Sequence, residues 1–108
     1  MSKGITIYKE KAEEKRLILY ELMREYIDNR IANILLEEVE GDMIDGYAYA
    51  DYENLENIYN RINKLVEVEE YASKLYDSEK ALYENILSEI KTILTNYKDE
   101  YTFLLSIF

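Results

Sequence analysis

The stretch SEKALYENILSEIKTILTNYKDEYTFLLSIF, residues 78–108, contains the most regular apolar pattern of the chain. Its apolar side chains recur at steps of three and four residues, which is the spacing of one face of an α-helix. The members of this stripe are Tyr83, Ile86, Ile90, Ile93, Tyr97, Tyr101, Leu104 and Phe108. Asp77 and Ser78, followed by Glu79, are typical of a helix start. The pattern predicts a helix over about 78–106.

A second helix is predicted upstream, over about 51–76. Asp51 suits the N-cap position, because its carboxylate can accept a hydrogen bond from the first helical turn. The apolar residues at steps of three and four are Leu55, Ile58, Ile62 and Leu65. An alternative is that this helix continues into the last one, since neither Asp77 nor Ser78 is a strong helix breaker. We favour a break, because a single rod of about 80 Å would leave its apolar stripe uncovered.

The first helix is predicted over about 7–39. Its apolar stripe advances by four residues at a time. The members are Leu19, Met23, Ile27, Ile31 and Leu35. Gly41 then stands where a helix C-cap is expected. Together the three segments predict an all-α fold, a single domain over 1–108 built as a three-helix antiparallel bundle.

The composition excludes several kinds of chemistry. The 108 residues include no Cys, His, Pro or Trp. Disulfides, thiolate nucleophiles, Cys-ligated zinc and histidine-dependent triads are therefore impossible within this chain. The acidic segment with Glu40, Asp42 and Asp45 does not match a calcium-binding loop, because Met43 and Ile44 interrupt the alternation of oxygen ligands. We predict no catalytic residues, no metal and no cofactor, and hence no enzyme.

The net charge and the N-terminal sequence indicate which partners and which cellular location to expect. The 13 basic and 23 acidic residues give a net charge of −10, which opposes direct binding of a phosphate backbone. The first residues, MSKGITIYKEKAEEK, lack the apolar core of a signal peptide, and no apolar run approaches the length of a membrane span. We expect a protein of the cytoplasm, or of the host cytoplasm if a virus encodes it, that neither crosses a membrane nor binds nucleic acid directly.

The acidic bend, residues 37–56, is the first candidate site. No Lys or Arg occurs from Ile31 through Asn60. A basic protein surface is the partner that this charge and these tyrosines suit. The candidate partner-binding residues are Glu37, Glu38, Glu40, Asp42, Asp45, Tyr47, Tyr49, Asp51, Tyr52, Glu53 and Glu56. The alternative is a solvated loop with helix-capping acids, which explains Asp51 and Glu53 but not acids at a helix C-terminus.

The apolar C-terminus, YTFLLSIF, is the second candidate site. Exposing its large side chains would be costly, since burying one contributes about 1.5–3 kcal/mol. We favour docking of this segment onto the first helix. The alternative is insertion into a partner or a second copy, which makes a homodimer a candidate state. The residues for such self-association are Phe103, Leu104, Leu105 and Phe108.

These features favour a non-catalytic acidic helical protein that docks on a larger, basic protein. The most concrete form is an inhibitor that occupies a nucleic-acid-binding site by mimicry, such as a viral, anti-CRISPR-like protein. The bias towards Ile, Tyr, Asn, Lys and Glu is typical of a low-GC genome, which suits such a source. The alternative is a small structural or accessory subunit, or a self-assembling helical protein, held through its apolar C-terminal helix.

Overall fold

The computed structural model of the chain describes residues 3–39, 46–98 and 102–108, the side chains of residues 11 and 12 excepted. Within these ranges the protein has an α+β fold with a four-stranded antiparallel sheet and four helices. The elements in chain order are β1 Lys3–Glu13, β2 Arg16–Ile27, α1 Asn29–Glu38, β3 Ala48–Ala50, α2 Tyr52–Glu67, α3 Glu69–Ala72, α4 Asp77–Asn96 and β4 Phe103–Ile107.

The sheet has the strand order β2-β1-β4-β3. A long hairpin of β1 and β2 forms one side, and β4 inserts between β1 and the short edge strand β3. β4 pairs only with the first half of β1, from Ile5 to Lys9, so the far half of the hairpin extends beyond the rest of the sheet. The β1–β2 register shifts at a bulge between Ile7 and Tyr8.

One face of the sheet, the inner face, lies against the helices. Ile5 and Ile7 of β1 and Phe103 and Leu105 of β4 point into a single core with the apolar sides of α1, α2 and α4. The helical members that are almost completely buried include Ile31, Leu35, Leu55, Ile58, Ile62, Ile86 and Ile90. The opposite side of the sheet, the outer face, carries the alternate residues of each strand. Burial of one apolar face by three helices is the main stabilising contribution to this fold.

The all-α three-helix bundle is therefore wrong, first because residues 7–39 do not form one helix. They form most of the β1–β2 hairpin and then α1. A step of four residues keeps a side chain on one face of a helix, but it also spans two periods of a strand, so the stripe fitted both structures. Met23 and Ile27 indeed share the inner face, whereas Leu19 lies beyond the bulge and is exposed.

The predicted helix over 78–106 is also wrong in its last third. α4 ends at Asn96, and the chain returns as the strand β4. Phe103, Leu105 and Ile107 alternate into the core, and this period of two is that of a strand. Tyr101 lies outside the described residues. Phe103 and Leu105 did not belong to the helical stripe, and their apolar character was the signal for a strand.

The middle of the chain confirms the predicted start of the second helix but not its end, because α2 ends at Glu67 and not near residue 76. α2 begins at Tyr52 after the N-cap Asp51, whose carboxylate accepts a hydrogen bond from the Asn54 amide at 2.8 Å. The predicted break before α4 is also present, because the short α3 and residues 73–76 separate the two long helices. Glu79 accepts a hydrogen bond from the Tyr76 amide at 3.0 Å and so caps the start of α4. The continuous-rod alternative is wrong.

Candidate protein-binding surface

The acidic bend lies only partly within the described residues. Glu40, Asp42 and Asp45, together with Gly41, fall in the range 40–45, outside the described residues. The remaining candidates lie at the end of α1, in β3 and in the first turns of α2.

Glu37 and Glu38 are engaged within the fold by a single cation, Arg61 of α2. The Arg61 guanidinium donates through Nη2 to Glu37 and through Nη1 to Glu38, the second at 3.2 Å. Hydrogen bonding to Glu37 is the largest cause that raises the pKa of Arg61. The unfavourable charge at the α1 C-terminus is thus offset by an arginine that follows the base-free stretch directly. The prediction that these two carboxylates bind a partner stays a prediction.

Asp51 and Asn54 also have a role inside the fold. Each side chain accepts a hydrogen bond from the other residue's backbone amide, which closes a capping box at the start of α2. The Asn54 side chain then donates to the carbonyl oxygen of Glu38 at 3.1 Å. These bonds fix the start of α2 against the end of α1. They therefore fix the position at which β3 enters the sheet, directly before Asp51.

Four side chains of the bend remain available to a partner. Tyr47 and Tyr49 are 50% and 61% exposed. Glu53 and Glu56 are exposed on α2 and make no hydrogen bond or ion pair with the described residues. We call this set, with the exposed N-cap carboxylate, the acidic tyrosine surface: Tyr47, Tyr49, Asp51, Glu53 and Glu56. Tyr52 is only half-buried and borders it.

The acidic tyrosine surface continues onto the outer face of the sheet. Tyr8 of β1 lies opposite Leu104 of β4, and Leu104 lies opposite Tyr49 of β3. Side chains at such opposed positions are close neighbours, about 4.5–5.5 Å apart at Cβ. The Tyr8 ring also meets the Tyr47 ring edge to face, with centroids 5.7 Å apart. Leu104 is only 5% exposed although it lies outside the core, as expected for an aliphatic side chain between two tyrosines.

The four residues predicted for self-association lie on two different faces of the sheet. Phe103 and Leu105 are fully buried on the inner face, whereas Leu104 and Phe108 lie on the outer side. An apolar C-terminal helix does not exist, because the segment is an interior strand of the protein's own sheet. Leu104 therefore adjoins Tyr49, which the sequence had assigned to the other candidate site.

Phe108 packs on Gly4 at the outer side of the sheet. The two residues exchange backbone hydrogen bonds of 2.9 Å, and a Cβ on Gly4 would lie 2.1 Å from the Phe108 ring. Only glycine leaves room for this ring. The Arg24 guanidinium lies 5.3 Å from the centroid of the same ring, within the range of a cation–π contact.

Comparison of the chain with protein-family models, with curated proteins and with solved structures finds no match. The functional interpretation therefore rests on the residues themselves. Within the described ranges, no three acidic side chains converge as metal ligands would. No helix in the same ranges has both the length and the apolar character that crossing a membrane requires.

Sequence reasoning missed two contributors to this region, Tyr8 and Arg61. Tyr8 lies within the range predicted as the first helix, although the run Ile5, Thr6, Ile7, Tyr8 alternates as a strand does. Arg61 gave one weak signal, as the first base after thirty residues without one. Its pairing with acids more than twenty positions away depends on the packing of α1 against α2, which no local pattern encodes.

Proposed function

We propose that the protein is a non-catalytic binding protein that docks on a basic surface of a larger protein through the acidic tyrosine surface. The observation that supports this most strongly is the exposure of Tyr47 and Tyr49 next to free carboxylates in a stretch without bases. Large aromatic side chains left in water are typical of interface anchors, because they bury much area at little conformational cost. The proposal thus retains the part of the acidic bend that the fold leaves available.

Each group in this surface has a distinct task. Tyr47 and Tyr49 provide the apolar contact area, and their hydroxyl groups can still form hydrogen bonds at the rim of the interface. Glu53 and Glu56 meet lysine or arginine side chains of the partner and steer its approach. Tyr8 braces Tyr47 from β1, so the aromatic ring is held in place before the partner arrives. Such preorganisation lowers the entropy lost on binding.

The most concrete form of this proposal is nucleic-acid mimicry. The carboxylates of Asp51, Glu53 and Glu56 at the start of α2 then take the positions of phosphates in a partner's nucleic-acid-binding site, and the protein inhibits that partner. A virus-encoded, anti-CRISPR-like inhibitor is one such protein. The net charge of −10 supports this reading, since it favours a basic protein site over nucleic acid itself.

A second candidate function is that of a structural or accessory subunit. The observation that favours it is the aromatic outer face, where Tyr8 and Tyr49 flank Leu104 and Phe108 covers Gly4, without a helix from the described part of the chain. In this case the contact would be apolar and would depend little on salt. The difference in salt dependence separates the two candidates.

The test is affinity capture from the native host's lysate with the immobilised protein, at low and at high salt. Glu53→Lys/Glu56→Lys is the informative variant, because these acids have no partner in the described structure. Glu67→Lys/Glu70→Lys is the matched control, with the same charge change at exposed positions further along the chain. Glu37 and Glu38 are unsuitable, because reversing them also breaks their contact with Arg61.

We expect a captured protein that is released at high salt, is lost with Glu53→Lys/Glu56→Lys and is retained by the control. Tyr47→Ala/Tyr49→Ala should also lose it, since the anchors are removed without a charge change. Capture that resists salt and tolerates the acidic variant would favour the accessory-subunit candidate. A protein captured equally by all variants would contradict docking through this surface.

A further inference from the structure

The outer edge of β2 is a long strand edge that pairs with no strand in the described part of the chain. β2 runs over twelve residues, Arg16–Ile27, and is the first strand in the sheet order. Its backbone N–H and C=O groups on that edge are available for pairing. Proteins commonly protect such edges with short strands, proline, charged side chains or bulges. β2 is long and contains no proline or lysine, although it carries four charged side chains and a bulge.

β2 also exposes an unusual amount of apolar surface. Leu17 and Tyr26, near its two ends, are 70% and 62% exposed, and Leu19 and Tyr20 are exposed between them. A long edge with exposed aliphatic and aromatic side chains is a template for another strand. β3 lies at the opposite edge of the sheet, but Tyr8, whose ring contacts Tyr47 of the acidic tyrosine surface, lies directly opposite Glu21 of β2.

The charge of this edge distinguishes it from the rest of the molecule. β2 contains two arginines, Arg16 and Arg24, and two glutamates, Glu21 and Glu25, so its net charge is zero. Residues 3–27 hold six bases and five acids, whereas the remaining chain from residue 28 holds seven bases and eighteen acids. Electrostatic repulsion between two copies of the protein is therefore weakest at β2, because this strand has no net charge.

The β-bulge determines which residues of β2 share a face. Arg24 and Glu21 form an ion pair of 2.8 Å on an exposed surface, although residues three apart in a regular strand point to opposite sides. The bulge therefore places Glu21, Arg24 and Tyr26 on the outer side, and alternation adds Leu19. Met23 and Ile27 take the inner side, where both are buried.

We infer that β2 pairs in an antiparallel manner with β2 of a second copy, which joins two four-stranded sheets into one. In an antiparallel pair, two directly opposed residues point to the same face of the sheet. Each contact between the two copies of β2 must therefore join residues of one face. One register places Glu21 of each copy opposite Arg24 of the other and Leu19 opposite Tyr26. On the inner side the same register places Ile18 opposite Ile27. The register also places Leu22 opposite Met23 and Tyr20 opposite Glu25. Between residues 18 and 27 the two chains thus form two Glu–Arg pairs, two Tyr–Glu pairs and six apolar pairs.

Exchanging the charges of Glu21 and Arg24 tests whether two copies of β2 pair in this register. Glu21→Arg places arginine opposite arginine twice, and Arg24→Glu places glutamate opposite glutamate twice, so each variant alone should dimerise much more weakly than the wild type. An equimolar mixture of the two variants should form a heterodimer, because every contact is then Glu–Arg again. The double variant Glu21→Arg/Arg24→Glu should regain the homodimer for the same reason.

The measurement is mass in solution by sedimentation over a wide range of protein concentration. We expect the wild type to pass from monomer to dimer with rising concentration. Each single variant should shift this transition at least about tenfold upwards, as expected for like charges placed opposite each other. Glu84→Arg and Lys91→Glu are matched controls, with the same charge changes at exposed positions of α4, and should dimerise like the wild type. Circular dichroism confirms that each variant is folded.

A wild type that stays monomeric at all concentrations would overturn the inference. A dimer that persists in both single variants, or single variants that remain monomeric when mixed, would overturn it too, since the copies would then meet elsewhere. The inference is independent of the proposed partner. Glu53→Lys/Glu56→Lys, which should lose the partner, should still dimerise, so failure of one proposal does not imply failure of the other.

Discussion

Glu89 is the most conspicuous single residue for stability, because the fold buries one of its carboxylate oxygens without a hydrogen-bond partner among the described residues. It lies on α4 beside Glu25 of β2, whose carboxylate accepts a hydrogen bond of 2.6 Å from Asn85. Burial is the largest cause that raises the pKa of Glu89, and the charge of Glu25 is the second. A carboxyl group whose pKa is raised by folding destabilises the fold once it is ionised.

We predict that Glu89→Gln raises the free energy of unfolding at pH 7. The gain should be about 0.5–1 kcal/mol, because Glu89 is only partly buried and water screens the repulsion. At pH 3 the gain should shrink, since this pH lies below the ordinary pKa of glutamate and Glu89 is then largely protonated in both states. Thermal unfolding at the two pH values measures this. Glu84→Gln on the exposed side of α4 is the control, and an equal gain at both pH values would contradict the explanation.

Tyr83 is the second informative residue. Its buried hydroxyl group donates a hydrogen bond to the Asp28 carboxylate, which also accepts from the Ile31 amide at 3.0 Å and so caps α1. Burial, and then this hydrogen bond, raise the pKa of Tyr83. One hydroxyl group thereby links α4 to the start of α1.

Tyr83→Phe should therefore lower the free energy of unfolding by about 1–2 kcal/mol, because the Asp28 carboxylate loses a partner in a part-buried site. Tyr59→Phe is the matched control, as Tyr59 packs on the core without a hydrogen bond within the described structure. Denaturant unfolding compares the two. If both variants lose the same stability, the bond to Asp28 has no special role.

At the scale of elements, the sequence predicted the helices better than the strands. α2 and α4 were recognisable because their apolar steps of three and four coincide with capping residues, Asp51 and Glu79. β4 was missed because Leu104 and Phe108 continue the helical step. The hairpin was missed because steps of four fit a strand equally and because its turn contains neither glycine nor asparagine.

The sequence predicted part of the candidate site, as it predicted part of the secondary structure. Tyr47, Tyr49, Glu53 and Glu56 were candidates from local composition alone, and the structure leaves all four at least half exposed or without a partner. The contacts that engage Glu37 and Glu38 come from Arg61 on another helix, and they arise only when α1 and α2 pack together. Local patterns reveal residue type and accessibility, whereas such pairings are consequences of the tertiary fold.

The turn of the β1–β2 hairpin offers a test at this scale. Glu14 and Lys15 have φ values of 45° and 67°, a left-handed conformation that costs energy for residues with a side chain. Such a two-residue turn is best filled by asparagine and glycine. We predict that Glu14→Asn/Lys15→Gly raises the free energy of unfolding by about 1 kcal/mol. Denaturant unfolding measures this, with Lys15→Ala as a control that should give no gain.

On the scale of the whole molecule, the two edges of the sheet differ in net charge and in the side chains that they expose. The β2 edge is neutral and apolar, whereas the β3 edge adjoins the acidic tyrosine surface at the start of α2. Strands lie about 4.8 Å apart, so these edges are separated by about 14 Å across the sheet. A dimer formed through β2 leaves both acidic tyrosine surfaces free at its two ends. Such a dimer can engage two partner sites at once and gain avidity.

We propose that the acidic tyrosine surface takes the place of nucleic acid on a basic partner. The most direct measurement is the fluorescence anisotropy of a labelled oligonucleotide bound to the captured partner, with increasing amounts of this protein. We predict that the wild type displaces the oligonucleotide and that Glu53→Lys/Glu56→Lys does not, whereas Glu67→Lys/Glu70→Lys displaces it normally. An oligonucleotide that stays bound while the wild-type protein also binds the partner would contradict the claim.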